Sequence, residues 1–265
     1  MTLRQGTVAM LTAKMNSNPY PDPTENGMYT DVERLIEEIQ TDARNSQSMT
    51  GIHSFTPKVL DALRKTPREA FVAKGLEKYA YLNQPLPQGF GQTISQPFIV
   101  ALMTQMLLPQ SHHKILEIGA GSGYQAAVLA RLVNHVTSIE IIPELADAAA
   151  KRLNSLAVDN VEVHCADGYQ GWPENAPYDG IIVTACASTV PPALTDQLKI
   201  GGRMIIPIGE LYGYQSLHLI EKSADASLSS HAVLPVAFVP FTRAMGASDD
   251  IGARWPSGPK IKPTW

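Results

Sequence analysis

LEIGAGSGY, residues 116–124, runs from a strand-like segment through three glycines at alternate positions into an apolar helical pattern. Gly119, Gly121 and Gly123 stand where a first strand would turn into a helix, and glycine there permits positive φ and lets a ligand approach the backbone. The spacing is GxGxG, because Tyr124 occupies the place where the dinucleotide fingerprint wants its third glycine. Glu117, two residues before the first glycine, adds a carboxylate at the mouth of the loop. A pyrophosphate would be repelled there and a cation attracted. S-Adenosylmethionine, with an ammonium, a sulfonium and no phosphate, fits that chemistry better than NAD.

Downstream of this unit the chain alternates. Strand-like runs follow KILEIG (114–119) at VTSIE (136–140), VEVHC (161–165), YDGIIVT (178–184), RMIIPIG (203–209), SLHLIE (216–221) and AVLPVAFVPF (232–241). Helical patterns separate the first five, at 124–132, 143–156, a weaker stretch near 171–175, and 191–198. That rhythm predicts an α/β fold with a parallel sheet covered on both faces. The last two strands have no helix between them and read as a hairpin, so the sheet is expected to end in an antiparallel strand.

Upstream, TDVERLIEEI places Val32, Leu35, Ile36 and Ile39 on one helical face, with Thr30 and Glu33 at capping-box spacing. Thr56-Pro57 and Thr66-Pro67 read as two further helix starts. A nearly all-apolar helix is expected from Pro97 through Leu108. The expected organisation is a flexible extension at 1–30, one domain at 31–243 whose N-terminal part (31–108) is helical, and an irregular tail at 244–265.

Composition narrows the function. The 265 residues are 44% apolar and carry 21 Lys and Arg against 25 Asp and Glu, a formal charge of −4 without a basic run, so nucleic acid is not an expected partner. The two cysteines, Cys165 and Cys186, lack metal-ligand or CxxC spacing, which argues against a disulfide framework or a metal site and for a reducing cytoplasm. The apolar stretch TVAMLTA lacks a cleavage pattern, and no apolar run reaches the ~18 residues a span requires, so no membrane association is expected.

Two more positions belong with the glycine loop. Glu140 ends the second strand, where a carboxylate can accept from ribose hydroxyls, with Ile141 beside it. Asp167 and Gly168 follow the third strand and can meet an adenine edge, the carboxylate accepting from the exocyclic amine and the glycine N–H donating to a ring nitrogen. Ser95, in GQTISQP (91–97), is by itself either a helix-start residue or a functional group.

Taken together, TPREAFV, QPLPQGFGQTISQPFIVALMTQML, ILEIGAGSGYQAAVLA, SIEIIPELA, DGYQGWP, YDGIIVTA, PPALTDQLKIGGRMIIPIG and FVPFTR, spread over residues 33–243, resemble the protein-L-isoaspartate O-methyltransferase family. The resemblance implies a Rossmann-like class I methyltransferase fold, with a seven-stranded, mostly parallel sheet whose last strand is reversed, plus N-terminal helices. It implies S-adenosylmethionine as cofactor and isoaspartyl-containing proteins and peptides as partners. The reaction implied is methylation of the free α-carboxylate of L-isoaspartyl, and more weakly D-aspartyl, residues. The ester then closes to a succinimide whose hydrolysis returns some aspartate. Gln92, Thr93, Ile94 and Ser95 would cover the methyl donor, with Ser95 facing the reacting carboxylate. Glu117, Gly119, Gly121 and Gly123 would hold the methionine end, Glu140 and Ile141 the ribose, Asp167 and Gly168 the adenine, while Thr242 would help close the site. The chain departs from the family pattern at Asn83, where aspartate is common, at Gln88, where isoleucine is usual, and at Ala166, where glycine is usual. These departures bear on peptide preference more than on reaction type. A small-molecule carboxyl or hydroxyl methyltransferase and a catalytically silent S-adenosylmethionine-binding module are the alternatives.

Overall fold

An apolar stripe makes the first helix. In the computed structural model, which describes residues 32–210 and 213–243, α1 (Val32–Thr50) buries Leu35, Ile36, Ile39 and Ala43 and leaves Glu33, Glu37 and Arg44 exposed. The expected extension at 1–30, the tail at 244–265 and the Thr30 half of the capping box lie outside the described residues. α2 (Pro57–Arg64) starts on its proline as expected, but Thr56 does not cap it. Its N–H and hydroxyl both donate to Gln105 Oε1, at 3.0 and 2.9 Å, and so tie α2 to the helix that carries Gln105.

The third expected helix start is corrected: Thr66-Pro67 leads only into a 3-10 turn, Arg68–Ala70. Tertiary demand overrides local propensity here. Arg68 is fully buried, and its guanidinium donates to the carbonyls of Ala80, Gln84 and Ser95, which a continuing helix would carry it away from. Next come β1 (Leu86–Gly89) and β2 (Gln92–Ile94), a two-stranded antiparallel hairpin with an irregularity at residue 88. α3 (Pro97–Met106) buries Phe98, Val100, Ala101, Leu102, Met103 and Met106, in line with its apolar sequence.

β3 (Lys114–Ile118), α4 (Tyr124–Ala130), β4 (His135–Glu140), α5 (Pro143–Ser155), β5 (Val161–Cys165), β6 (Tyr178–Val183), α6 (Pro192–Gln197), β7 (Leu198–Gly209), β8 (Gln215–Lys222) and β9 (Leu228–Val236) complete the chain. The expected helix near 171–175 is replaced by two 3-10 turns, Gly168–Gln170 and Pro173–Asn175, since Gly171 adopts φ 61° and Pro173 follows at once. The seven strands lie in the order β5-β4-β3-β6-β7-β8-β9. β3 to β7 run parallel, and β8 is antiparallel to both neighbours. The reversed strand is therefore the sixth and not the last: two consecutive hairpins turn the chain twice, and β9 runs with the parallel set.

Alternate residues of the strands feed two cores, as a sheet covered on both faces requires. Ile115, Ile182 and Ile205 pack with the N-terminal helices, whereas Leu116, Ile118, Ile181 and Met204 pack on the opposite face. The strand order reverses between β3 and β6, the switch point at which open α/β sheets form a ligand crevice. Among the described residues no helix is long and apolar enough to cross a membrane.

Candidate functional site

The crevice is built by the loop after β3. Gly119, Gly121 and Gly123 all have positive φ, at 93°, 52° and 85°. At Gly119 a Cβ would lie 2.3 Å from Thr184 Oγ1, whose hydroxyl donates to the Gly119 carbonyl at 2.7 Å, so the loop is pressed against the end of β6. Gly123 serves packing instead, its Cβ position meeting Leu153 and Ala149 of α5 at 3.4–3.5 Å. At the end of β4 the Glu140 carboxylate accepts from Gly121 N at 2.8 Å and from Ile142 N at 3.0 Å, which holds both oxygens at the loop.

The open side is a cleft between the glycine loop, the β1–β2 hairpin and the segment after β9. Ten of the residues singled out from sequence line it: Gln92, Thr93, Ile94, Ser95, Gly119, Gly121, Glu140, Ile141, Gly168 and Thr242. Three do not. Gly123 lies behind the loop, and Asp167 caps the turn below the cleft by accepting from Tyr169 N at 3.0 Å. Glu117, expected as a charge at the mouth of the loop, is corrected to a carboxyl fully buried in β3. The Ser138 hydroxyl donates to its Oε2, while Oε1 has no hydrogen-bond partner among the described residues. Burial pushes its pKa up to about 8, against the Ser138 hydroxyl and the nearby Ala126 N–H and with help from the Glu140 charge.

Ser95 is not the helix-start residue that its sequence allowed. The N-cap of α3 is Gln96, and no side chain caps that helix. The Ser95 carbonyl is held by Arg68 Nη2 at 2.9 Å, while its hydroxyl has no partner among the described residues and its side chain faces the cleft. Sequence reasoning missed Gln88, Thr184 and Phe241, which also line the cleft. Thr184 ends β6 at the switch point, a position that could have flagged it. Phe241 was hidden in an apolar run read as strand. In fact the sheet strand ends at Val236, and the chain then crosses to Cys186, which donates from its N to the Val239 carbonyl and accepts from Phe241 N, both at 2.8 Å. That crossing sets Phe241 over Gly168, where a Cβ would meet Ile118 at 2.4 Å and the Phe241 ring at 3.2 Å, and brings Thr242 into the cleft lining.

Residues 44–246 match the family model described as protein-L-isoaspartate(D-aspartate) O-methyltransferase. The protein-L-isoaspartate O-methyltransferase 2 of Syntrophobacter fumaroxidans is 51% identical over 209 residues, 79% of this chain and 85% of that protein. The chain belongs to the protein-L-isoaspartate(D-aspartate) O-methyltransferase family. Two solved structures are similar to this isoaspartate methyltransferase fold. One is a protein-L-isoaspartate O-methyltransferase, 31% identical, with a TM-score of 0.70 over 79% of this chain and 65% of that one. The other is a Plasmodium falciparum chain in complex with S-adenosyl-L-homocysteine, 22% identical, with a TM-score of 0.63 over 79% of this chain and 99% of that one.

The cradle of this isoaspartate methyltransferase suits an adenosyl ligand. Among its lining residues, Gln88 Oε1 is a buried acceptor with no donor among the described residues, which an ammonium or a hydroxyl of that ligand could supply. The raised pKa of Glu117 also sets a pH dependence. Its folded pKa lies above the usual 4.5, so the folded state holds the proton more tightly than the unfolded chain, and stability is lost as pH rises from 4.5 towards 8. Glu117→Gln removes that loss. In urea titrations the variant is expected to match the parent near pH 5 and to exceed it by about 1–3 kcal/mol above pH 8, less than the full shift because a buried site relaxes as it charges. A constant difference across that range would mean that Glu117 is ionised throughout.

Proposed function

We propose that this chain methylates the free α-carboxylate of L-isoaspartyl residues, and more weakly of D-aspartyl residues, in damaged proteins and peptides, and that it does so in the cytoplasm. Family membership supplies the reaction class: the chain is an S-adenosylmethionine-dependent protein-L-isoaspartate O-methyltransferase, an enzyme of protein repair. The observation that carries the finer reading is the unpartnered Ser95 hydroxyl in the cleft wall, fixed through its own carbonyl by Arg68. When bound, S-adenosylmethionine supplies a methyl group made electrophilic by its sulfonium, which the acceptor carboxylate takes directly. The protein needs no general base for this, because a carboxyl of pKa ~4 is already ionised at neutral pH. Ser95 donates to one carboxylate oxygen and aims the other along the attack line. Glu140 and Ile141 hold the ribose, Gly119 and Gly121 admit the amino-acid end, and Gly168 takes the adenine. Gln92, Thr93 and Ile94 form the outer wall, while Phe241 and Thr242 close the adenine side and exclude water. Glu117, Gly123 and Asp167 shape the loop and the turn from behind.

The succinimide that follows methylation forms without the enzyme, because the following backbone amide nitrogen attacks the ester carbonyl, loses its proton and expels methanol, a far better leaving group than the hydroxide or oxide a free carboxylate would have to lose. The discriminating experiment uses one isoaspartyl peptide and its aspartyl twin with methyl-labelled S-adenosylmethionine. The isoaspartyl form is expected to take up label that base releases as methanol, and the twin none, since its carboxylate sits one methylene further out and misses the attack line. Equal labelling would end the repair reading in favour of a less selective carboxyl methyltransferase. Binding of S-adenosylhomocysteine without labelling of either peptide would leave a silent module.

A further inference from the structure

The β1–β2 hairpin is not regular. Pro87 pairs with Thr93 and Gly89 with Gln92, so Gln88 is an extra residue between two partners that are adjacent on the other strand. A bulge of this kind re-aims the side chain it carries. Here it turns Gln88 into the cleft, towards the glycine loop, where a Cβ on Gly121 would lie 2.8 Å from Gln88 Nε2. Nε2 also donates to the Thr93 carbonyl at 3.3 Å, a long bond that fixes the plane of the amide. The other end of the amide is the anomaly. Gln88 Oε1 is occluded and has no hydrogen-bond partner among the described residues, though the residue as a whole is half-buried on the rim of a hairpin. A carbonyl oxygen closed off from water without a donor costs free energy that a conservative fold avoids unless a ligand supplies the donor.

We propose that Gln88 is a cofactor-binding residue of this enzyme, its amide oxygen accepting a hydrogen bond from the adenosyl ligand and so linking the Ser95-bearing hairpin to the occupied glycine loop. The inference rests on the cofactor reading above. On that reading, which sets the amino-acid end at Gly119 and Gly121 and the ribose at Glu140, whose carboxylate accepts from Gly121 N, two donors of the ligand would come near Gly121: the ammonium of the amino-acid portion and the ribose hydroxyls, and both share the chemistry the oxygen needs. The adenine amine belongs to the Gly168 side. Because β2 carries Gln92, Thr93 and Ile94 and leads directly into Ser95, the bond would tie the hairpin to the occupied glycine loop beside a serine whose backbone Arg68 already holds.

Calorimetric titration with S-adenosylhomocysteine tests this on the full chain, comparing the parent with Gln88→Leu and Gln88→Glu. Leu is close in volume but offers no acceptor, and Glu keeps the acceptor while losing the Nε2 bond to Thr93. Gln88→Leu is expected to weaken binding about tenfold, the worth of one buried hydrogen bond of about 1.4 kcal/mol. Gln88→Glu is expected to bind within about threefold of the parent or more tightly. Repeating the titration with 5′-methylthioadenosine, which lacks the amino-acid portion, separates the two donors: a loss seen only with S-adenosylhomocysteine assigns the ammonium, and a loss with both assigns the ribose. Equal affinity of Gln88→Leu and parent overturns the proposal, as does equal weakening in both variants, which would trace the effect to the Thr93 bond. A parent that binds neither ligand would defeat the cofactor reading itself, a different failure from these.

Discussion

Replacing Arg68 by methionine is expected to lower the unfolding free energy by about 3–6 kcal/mol, a large part of the whole stability of a domain this size. The substitution keeps the volume and removes a charge whose burial pulls its pKa down to about 10, and on that ground alone it could stabilise. The partners decide otherwise. Arg68 is not paired with a carboxylate that could be replaced along with it. It serves the backbone carbonyl of Ala80 in a buried bond and those of Gln84 and Ser95 in part-buried ones, and all three lose their donor when the guanidinium goes. Each orphaned group costs roughly 1–3 kcal/mol. Arg68→Lys should fall between, since one ammonium cannot span carbonyls that far apart in the chain as a planar guanidinium does. Denaturant titration at neutral pH measures both, and a loss below about 1 kcal/mol for methionine would mean that water takes over the role of the side chain.

Ser95→Ala is expected to leave stability and S-adenosylhomocysteine affinity nearly unchanged while cutting kcat/KM for an isoaspartyl peptide by roughly ten- to a thousandfold, about 1.4–4 kcal/mol of transition-state stabilisation. The absence of a stability effect follows from the geometry, because the hydroxyl neither caps α3 nor bonds to any described residue. The rate effect follows from its place in the cleft wall, on a backbone that Arg68 holds still. Single-turnover kinetics on cofactor-saturated protein isolates the transfer step. A rate equal to the parent would remove Ser95 from the chemistry and leave the segment 91–97 with a structural role alone.

The fold was legible wherever burial was two-sided. β3 centres on Ile115, Leu116 and Ile118 and β6 ends in Ile181, Ile182 and Val183 because both faces of the sheet are covered, and the glycines at 119, 121 and 123 announce the turn because positive φ strains most other residues. Legibility ended where a long-range contact outvoted local pattern. The sequence around Arg68 has the punctuation of a helix start, yet the residue is drawn inward by carbonyls 12 to 27 positions away. β1 and β2 are too short, and too rich in proline and glycine, to show a period of two. Glu117 was readable as an acid near a loop but not as a buried one, because strand alternation says which residues share a face without saying how deep that face lies. The direction of β8 escaped for a similar reason: a hairpin reading tells that two strands oppose each other, not which of them opposes the sheet.

The crossing from β9 back to Cys186 makes the sheet and one wall of the cleft separable parts of the chain. The sheet and the glycine loop are complete in the chain by residue 236, but the wall over Gly168 is formed by Phe241, with Thr242 in the cleft lining. A chain cut after Val236 would therefore keep every strand of the sheet and the glycine loop while losing the cover over Gly168, so damage to the sheet and damage to the cleft would trace to different parts of the sequence.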